Sequence, residues 1–325
     1  MFRVGTTVRR RLAAVVLGLL GCTAAAWAQQ PAGGSVANGG ANGNGGAEPK
    51  ISDDELRIRG VFDTALPGVE KKNRLKLIIH PHFGDLHRKD YLRAPLGLRY
   101  GLTERWEVTG EVETFFAHGL GEVPFLHKEG ISNYHFNTKY NLGRNLWRGW
   151  DTGVGFDYIT PAGTPPEEIS DGLEHRAYFV TFSRHLESRP DIRVFWGLNY
   201  DTVSETGLPV MLDDNELGDD NVSVNAGIVW QRPKLTYTFE TTLATTRVVG
   251  DLERDVVTIR PGIVWPIPQR YTFRKTGQWL LGMAPRVSFG PDGAVFGVNV
   301  KLRGSFDFKR WIRSKFRGKP PAPAP

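Results

Sequence analysis

Charged side chains recur at every second position in several stretches of this 325-residue chain. In the range 105–113, for example, Arg and Glu alternate with Trp, Val and Gly. Successive side chains of a β-strand point to opposite faces, so such a stretch has one charged face and one apolar face. A face that carries both signs is costly to bury in a sandwich core, because the charges lose their hydration. Ladders of charge that line a water-filled pore instead set its preference for ions and solutes.

The residues that we expect to line such a pore share a charged or ionisable side chain on the polar face of a strand. They are Lys76, His80, Arg99, Arg105, Glu107, Glu111, Glu113, Lys139, Arg193, Glu240, Arg260, Arg286, Lys301 and Arg303. Basic residues outnumber acidic ones in this set, which predicts a mild preference for anions. The alternative for each residue is that opposed arginines and carboxylates only hold the interior together.

Other patterns would support different chemistry. His80 and His82 lie on one strand face, where they could share a divalent metal, but no second cluster accompanies them and a solvated pair is favoured. The acidic loop 203–220 lacks the glycine and glutamate positions of a calcium loop and is interpreted as an acidic surface loop. Ser132 and His135 would be the nucleophile and base of a barrel enzyme acting on lipid, yet they point to opposite faces. The sequence predicts no catalytic residue, no metal and no cofactor.

Twelve strands are expected to position these side chains. Their ranges are 73–84, 92–102, 105–116, 131–142, 150–160, 174–186, 191–202, 221–231, 234–245, 255–265, 278–289 and 294–308. The last alternates best, with Phe296, Val298 and Val300 on its apolar face. It is longer than the roughly five or six residues of a typical soluble strand. Because Trp and Tyr also recur near strand ends, we predict an all-β fold, a transmembrane antiparallel β-barrel of about twelve strands.

The connections between the strands support a barrel with two different ends. Short connections at 103–104, 143–148, 188–190 and 232–233 alternate with long ones at 117–130, 161–173, 203–220 and 246–254. Bacterial barrels pair short periplasmic turns with longer outer loops in this way. The alternation breaks at the end of the chain, where 266–277 is long and Pro291-Asp292-Gly293 is short. Either that end is irregular or the strand count is wrong there.

The N-terminus has the pattern of a secretory signal peptide over residues 1–28, with arginines before a short apolar run. Cleavage after Ala28 is favoured over cleavage and lipidation at Cys22, the only cysteine. Four of the arginines behind the net charge of +6 leave with the signal, so this charge gives little reason to expect a nucleic-acid partner.

The predicted barrel spans residues 73–308, and one segment flanks it on each side. Residues 29–72 are expected to be a disordered periplasmic linker and pre-barrel segment, whose part 51–72 would either dock in the barrel mouth or stay loose. The range 309–325 is a basic tail rich in Pro and Ala, expected on the periplasmic side.

The range 96–108, which reads LGLRYGLTERWEV, resembles the strand–turn–strand signature of the outer-membrane channel family named for the meta-pathway of phenol degradation. This resemblance implies a barrel in the bacterial outer membrane that transports small, often hydrophobic compounds, and it supplies no catalytic residues. We therefore expect a passive channel for small solutes, with hydrophobic or aromatic compounds as candidates. Its partners would be membrane lipids, the solute and, during biogenesis, the barrel-assembly machinery. The alternatives are a pore-less structural barrel and a barrel enzyme.

Overall fold

The computed structural model describes residues 62, 64–83, 91–118, 129–147, 149–162, 169–208, 217–232, 234–268 and 278–306. Twelve strands follow one another in these ranges. They are β1 Leu75–Ile79, β2 Tyr91–Gly101, β3 Trp106–Ala117, β4 Glu129–Trp147, β5 Trp150–Pro161, β6 Leu173–His185, β7 Ile192–Glu205, β8 Asn221–Gln231, β9 Thr236–Thr245, β10 Asp255–Ile267, β11 Gln278–Gly290 and β12 Gly293–Phe306. The predicted signal peptide 1–28 and the tail 309–325 lie outside the described residues.

The twelve strands form one closed barrel in which each strand pairs with its neighbours in the chain. The pairing is antiparallel throughout, and β1 closes the ring on β12 with Leu75 opposite Phe306. The predicted fold class, an antiparallel barrel of twelve strands, is confirmed. None of the described residues belongs to a helix long and apolar enough to cross a membrane.

Alternation along each strand separates an apolar outer face from a polar inner face. In β3 the inward Glu107, Glu111 and Glu113 are each at most 6% exposed, whereas the outward Trp106 is 44% exposed. The other large outward side chains are aliphatic or aromatic; they include Leu96, Leu98, Tyr134, Phe136, Tyr178, Phe239, Ile263, Phe296 and Val298. A contiguous apolar surface of this kind is rare on a protein surrounded by water.

The two ends of the barrel differ as the connection lengths predict. We call the end with the connections 102–105, 148–149, 186–191 and 232–235 the turn end, and the opposite end the loop end. The alternation of short and long connections breaks at the last two connections, as in the sequence. This break is a real irregularity of the barrel and not an error in the strand count, because β10 pairs with β11 and β11 pairs with β12. The two strand ends that the long connection 268–277 joins, Ile267 of β10 and Gln278 of β11, lie at the turn end. The tight turn at the loop end is possible because Gly293 has a φ of 124°, which glycine adopts without strain.

Two strands, β1 and β4, differ from their predicted bounds by five residues at one end. β1 stops at Ile79 rather than at 84. β4 continues to Trp147, because register shifts after Asn141 insert extra residues and Gly143 takes a φ of 72° there. Bulges of this kind change local pairing in a way that simple alternation does not reveal.

Aromatic side chains cluster around the outside of the turn end. Trp147 stacks on Trp150 with ring centroids 5.4 Å apart, and Phe182 stacks on Trp196 at 4.3 Å. The Trp106 indole donates a hydrogen bond of 2.7 Å to Thr138. Such a belt of aromatic rings is typical of the level where a barrel meets the polar surface of a bilayer.

Candidate functional site: the lumen and the segment inside it

A short N-terminal segment lies inside the barrel. We call Phe62 and Thr64–Glu70 the luminal segment; Phe62, Leu66 and Glu70 are each at most 1% exposed. Its hydrogen-bond partners belong to β3, β4, β9 and β12, which lie around the circumference of the barrel. The segment therefore crosses the lumen, so this part of the range 51–72 docks inside the barrel.

Glu240 of β9 holds the first part of the luminal segment. One of its carboxylate oxygens accepts the backbone N–H of Phe62 at 3.0 Å. The other accepts the backbone N–H of Thr64 at 2.5 Å and also the Thr64 hydroxyl. From β12, the Lys301 ammonium donates to the carbonyl oxygen of Phe62. Two charged side chains from different strands thus bind the backbone of this segment.

The second part of the segment is held by a buried network of opposite charges. Glu107 accepts the backbone N–H of Glu70 at 2.5 Å, and its other oxygen lies 2.9 Å from the Lys139 ammonium. Lys139 also donates to the carbonyl of Leu66 at 3.0 Å. Glu70 in turn pairs with Lys76 at 2.6 Å. Buried charges of this kind are tolerated because each has partners of opposite sign or a hydrogen bond.

Apolar contacts complete the seat of the segment at the barrel wall. Phe62 and Leu66 share a buried cluster with Phe195, Val229, Val264, Leu280 and Ala284. Burial of one such side chain contributes about 1.5–3 kcal/mol. Gly153 leaves room for the segment, because a Cβ atom there would lie 2.7 Å from the Cα of Pro67.

A cavity of about 350 Å³ lies beside the luminal segment, with Ala65 in its wall. The wall combines charged, amide, hydroxyl and apolar groups. The polar side chains are Arg99, Glu107, Thr109, Glu111, Asn137, Lys139, Asp157, His175, Thr181, Asn199, Asp201, Ser223, Asn225 and Thr242. Ile159, Ala177 and Phe179 form apolar parts. The cavity can therefore surround a small molecule that has both hydrogen-bonding groups and an apolar body.

The structure places most of the proposed pore-lining residues on the inner faces of the strands. The register and burial of the strands direct Lys76, Arg99, Glu107, Glu111, Glu113, Lys139, Arg193, Glu240, Arg260, Arg286, Lys301 and Arg303 inward. His80 follows β1 and lies 3.1 Å from Glu111. Arg105 requires a correction, because it belongs to the exposed turn between β2 and β3 rather than to the wall. The alternation begins one residue later, at Trp106.

Charge is distributed unevenly around the lumen. Every charged side chain that β10, β11, β12, β1 and β2 direct inward in the described chain is a cation: Arg260, Arg286, Lys301, Arg303, Lys76, Arg93 and Arg99. The opposite strands β3 to β7 carry the acids Glu107, Glu111, Glu113, Asp151, Asp157 and Asp201, with fewer cations among them. We call these two arcs the basic sector and the acidic sector.

The two side chains considered for catalysis, Ser132 and His135, contact different groups of Glu113. The Ser132 hydroxyl donates to the backbone carbonyl of Glu113 at 3.3 Å, whereas the His135 ring lies 3.7 Å from the Glu113 carboxylate. The rings of His80 and His82 are 5.8 Å apart, and the described residues contain no group of three or more side chains suited to a metal. The central part of the acidic loop, 209–216, lies outside the described residues.

A histidine between two carboxylates stabilises the wall near the loop end. His175 bonds Asp171 and Asp201, each at 2.9 Å. Burial opposes ionisation of Asp171, but the hydrogen bond and charge of His175 and the backbone N–H of Leu173 together outweigh it and lower the pKa of this loop carboxyl below its ordinary value. The pair therefore joins the loop before β6 to the barrel wall.

Sequence reasoning left open whether the range 51–72 docks in the barrel mouth or stays loose, and it did not predict that the luminal segment crosses the lumen. Its partners in β9 and β12 are more than 170 positions away in the chain, as for Phe62 and Glu240. The available signal was the apolar run Leu66-Pro67-Gly68-Val69 in a segment of otherwise mixed charge. That apolar run indicated that the segment is buried, but it did not indicate which strands it packs against.

No protein-family model matches the chain. No curated protein matches it. Among solved structures, the COG4313 outer membrane channel from Pseudomonas putida F1 is similar with a TM-score of 0.46 and 11% identity, over 74% of this chain and 97% of that one. The KdgM porin in complex with disordered oligogalacturonate is similar with a TM-score of 0.40 and 10% identity, over 72% of this chain and 99% of that one. The NanC porin is similar with a TM-score of 0.39 and 10% identity, over 71% of this chain and 98% of that one.

Proposed function

We propose that this protein is a channel of the bacterial outer membrane through which small solutes pass without an energy source. The observation that supports this most is the contrast between the two faces of one closed barrel. The outer face is apolar, with Leu98 51% and Phe136 47% exposed, and the inner face carries charges of both signs. An apolar outer face and a charged inner face are stable together when the barrel has lipid outside and water inside. Membrane lipids are then the outer partner, and the barrel-assembly machinery acts during insertion.

The solute class in this proposal is a small molecule with an apolar body and a few hydrogen-bonding groups. The cavity supports this choice, because amide and hydroxyl groups such as Asn199 and Ser223 share its wall with Ile159 and Phe179. Hydroxylated aromatic compounds have this combination of groups. Membership in the family that the range 96–108 resembles is part of the same proposal.

The luminal segment makes the channel narrow at rest. It occupies part of the lumen with Phe62 and Leu66, whose backbone is bound by Glu240 and Lys139 from opposite walls. A twelve-stranded barrel is wider than the roughly eight strands that side chains alone can fill, so space for solute remains beside the segment. We propose that small movements of this segment set the conductance.

Single-channel recording in a planar lipid bilayer tests the proposal. The refolded protein from Gln29 onward should give discrete, small conducting steps under a salt gradient, and the reversal potential should report ion preference. A heat-denatured sample is the control, since it should give no steps. Silence from protein whose folded mobility on a gel has been verified would contradict the channel and favour a structural barrel.

A further inference from the structure

Three inward side chains of β6 form one wall of the cavity beside the luminal segment. Ala177, Phe179 and Thr181 follow one another at every second position, and all three line it. The register places Ala177 between two carboxylates, because it pairs with Asp157 of β5 on one side and with Asp201 of β7 on the other. Neighbouring strands lie about 4.8 Å apart, so the Cα atoms of the two aspartates are about 10 Å apart. The small side chain of Ala177 leaves a recess between them.

An aromatic ring adjoins this recess on the side of the turn end. Phe179 pairs with Gly155 of β5, and a Cβ atom at position 155 would lie 2.8 Å from Cε1 of the ring. The ring therefore covers the β5 backbone at this glycine and gives the cavity an apolar surface close to Asp157 and Asp201. Such a surface suits an organic cation, because an aromatic ring attracts positive charge and also packs against an apolar body.

The wall of the cavity carries more negative than positive charge. Its carboxylates are those of Glu107, Glu111, Asp157 and Asp201, and its permanent cations are Arg99 and Lys139. Lys139 already lies 2.9 Å from Glu107. His175 bonds Asp201 but also Asp171, so even a protonated His175 ring leaves an excess of negative charge in this region. The wall therefore attracts a cationic ligand more strongly than an anionic one.

Two buried polar atoms of the wall have no hydrogen-bond partner among the described residues. One oxygen of Asp201 bonds His175, whereas the other, Oδ1, is buried and unpartnered. The Thr181 hydroxyl is also unpartnered, although Thr181 is only 3% exposed. Buried polar atoms of folded proteins are almost always hydrogen-bonded. These two atoms in the wall of a cavity therefore indicate a ligand with hydrogen-bond donors.

An amine fits this arrangement better than a metal ion does. The oxygen ligands of a metal ion lie within about 2.6 Å of it, whereas Asp157 and Asp201 flank a recess that is two strand spacings wide. The described residues also contain no group of three or more side chains suited to a metal. An ammonium group has three N–H donors, so it can donate to acceptors on both sides of the recess.

We propose that the cavity binds a small amine with an apolar body, whose ammonium group donates to Asp157 and Asp201 while the body packs on Phe179. This inference rests on the proposed channel function for the route by which the amine enters, and it specifies the hydrogen-bonding group of the solute. The amine occupies the acidic sector. Inorganic anions pass along the basic sector on the opposite strands, so the two preferences are compatible.

Isothermal titration calorimetry of the refolded protein in detergent tests the binding site. The probe is phenethylamine, which is cationic at neutral pH, and the comparison is phenethyl alcohol, which has the same ring and chain but no charge. The amine should bind at least about tenfold more tightly, because a hydrogen bond from a charged donor to a carboxylate is stronger than one from a neutral donor. An affinity for the amine that does not exceed the affinity for the alcohol would overturn the inference.

Two single variants test which residues bind the ammonium group. Asp157→Asn and Asp201→Asn each remove one charge from the recess at nearly constant size, and each should weaken amine binding at least about tenfold. The matched control is Asp151→Asn, because Asp151 also points inward from β5 but does not line the cavity. Folded mobility on a gel verifies each variant, and a folding defect in one aspartate variant leaves the other decisive. Equal amine affinity in the control and in the aspartate variants would overturn the assigned site.

Single-channel recording separates this inference from the proposed function. Phenethylamine should reduce the conductance of the wild-type protein at concentrations near its dissociation constant, because the cavity lies in the lumen. Unaltered steps at saturating amine would overturn the assignment of the amine as a solute. Conducting steps from a protein that binds no amine would overturn this inference and leave the channel. A folded protein that binds the amine but never conducts would contradict the channel and support the binding site.

Discussion

At the scale of single residues, Glu240 is the side chain on which the luminal segment depends most. Its carboxylate accepts hydrogen bonds from the backbone of Phe62 and Thr64 and from the Thr64 hydroxyl. Both acceptor atoms are thus used by one short stretch of chain. Because Glu240 is fully buried, its charge interacts with these donors without screening by bulk water.

Replacement of Glu240 by Gln should loosen the luminal segment. The amide removes the charge and turns one acceptor into a donor that faces N–H groups. Hydrogen bonds to a charged group contribute about 1.5–3 kcal/mol, so the segment should leave its seat at least about ten times more often. The measurement is the rate at which a thiol reagent labels Val69→Cys, a position only 6% exposed at rest.

The matched control is Glu253→Gln, because this glutamate is exposed in the loop between β9 and β10. It makes the same chemical change outside the lumen and should leave the labelling rate unaltered. If Glu240→Gln labels no faster than the control, then Glu240 does not hold the segment.

At the scale of elements, β5 and the luminal segment are built to fit each other. Gly153 lies where the segment passes closest to the wall, and a Cβ atom there would be 2.7 Å from Pro67 Cα and 3.1 Å from its carbonyl oxygen. Contacts below 3.0 Å are not tolerated, and backbone atoms cannot rotate away as a flexible side chain can. The absent side chain at Gly153 is therefore a requirement of the segment and not of the strand.

Gly153→Ala should displace the luminal segment and increase the conductance of the barrel. Gly110→Ala in β3 is the matched control, since a Cβ atom there would meet nothing within 4 Å. Both variants replace a glycine inside a strand by alanine, so the change in strand preference should be similar in the two. Single-channel recordings should show larger or more frequent steps for Gly153→Ala and wild-type behaviour for Gly110→Ala. Equal conductance in both variants would place the segment away from the conducting path.

The elements were predictable to the extent that alternation reveals them. All twelve strands were predicted, because residues such as Glu107 and Trp106 report the two faces directly. The early end of β1 was not predicted, because its alternation continues through His80 and His82, beyond the last described pair with β12, Ile79 and Leu302. The location of the luminal segment could not be predicted from the alternation either. Periodicity identifies a strand and its two faces, but it does not show which segment lies inside the barrel that the twelve strands form.

At the scale of the whole molecule, the basic and acidic sectors create a field across the lumen. Lysines of both sectors are partly engaged, as Lys301 binds the carbonyl of Phe62 and Lys139 pairs with Glu107. The basic sector also includes Arg286 of β11 and Arg303 of β12, so cationic side chains are concentrated on one side of the lumen. An ion that passes along this side meets cations first, which supports the mild anion preference expected from the sequence.

Reversal of two charges in the basic sector, Arg286→Glu with Arg303→Glu, should therefore shift ion preference toward cations. One unit charge about 4 Å from an ion is worth roughly 1 kcal/mol even in water, so the permeability ratio should change by at least about fivefold. The measurement is the reversal potential in a planar bilayer under a potassium chloride gradient, and the shift should shrink as salt rises, because ions screen the field. The control is Arg105→Glu with Arg144→Glu, two exposed arginines near the turn end that change net charge equally. If both double variants shift the reversal potential alike, the effect comes from net charge alone and the basic sector does not line the path of the ions.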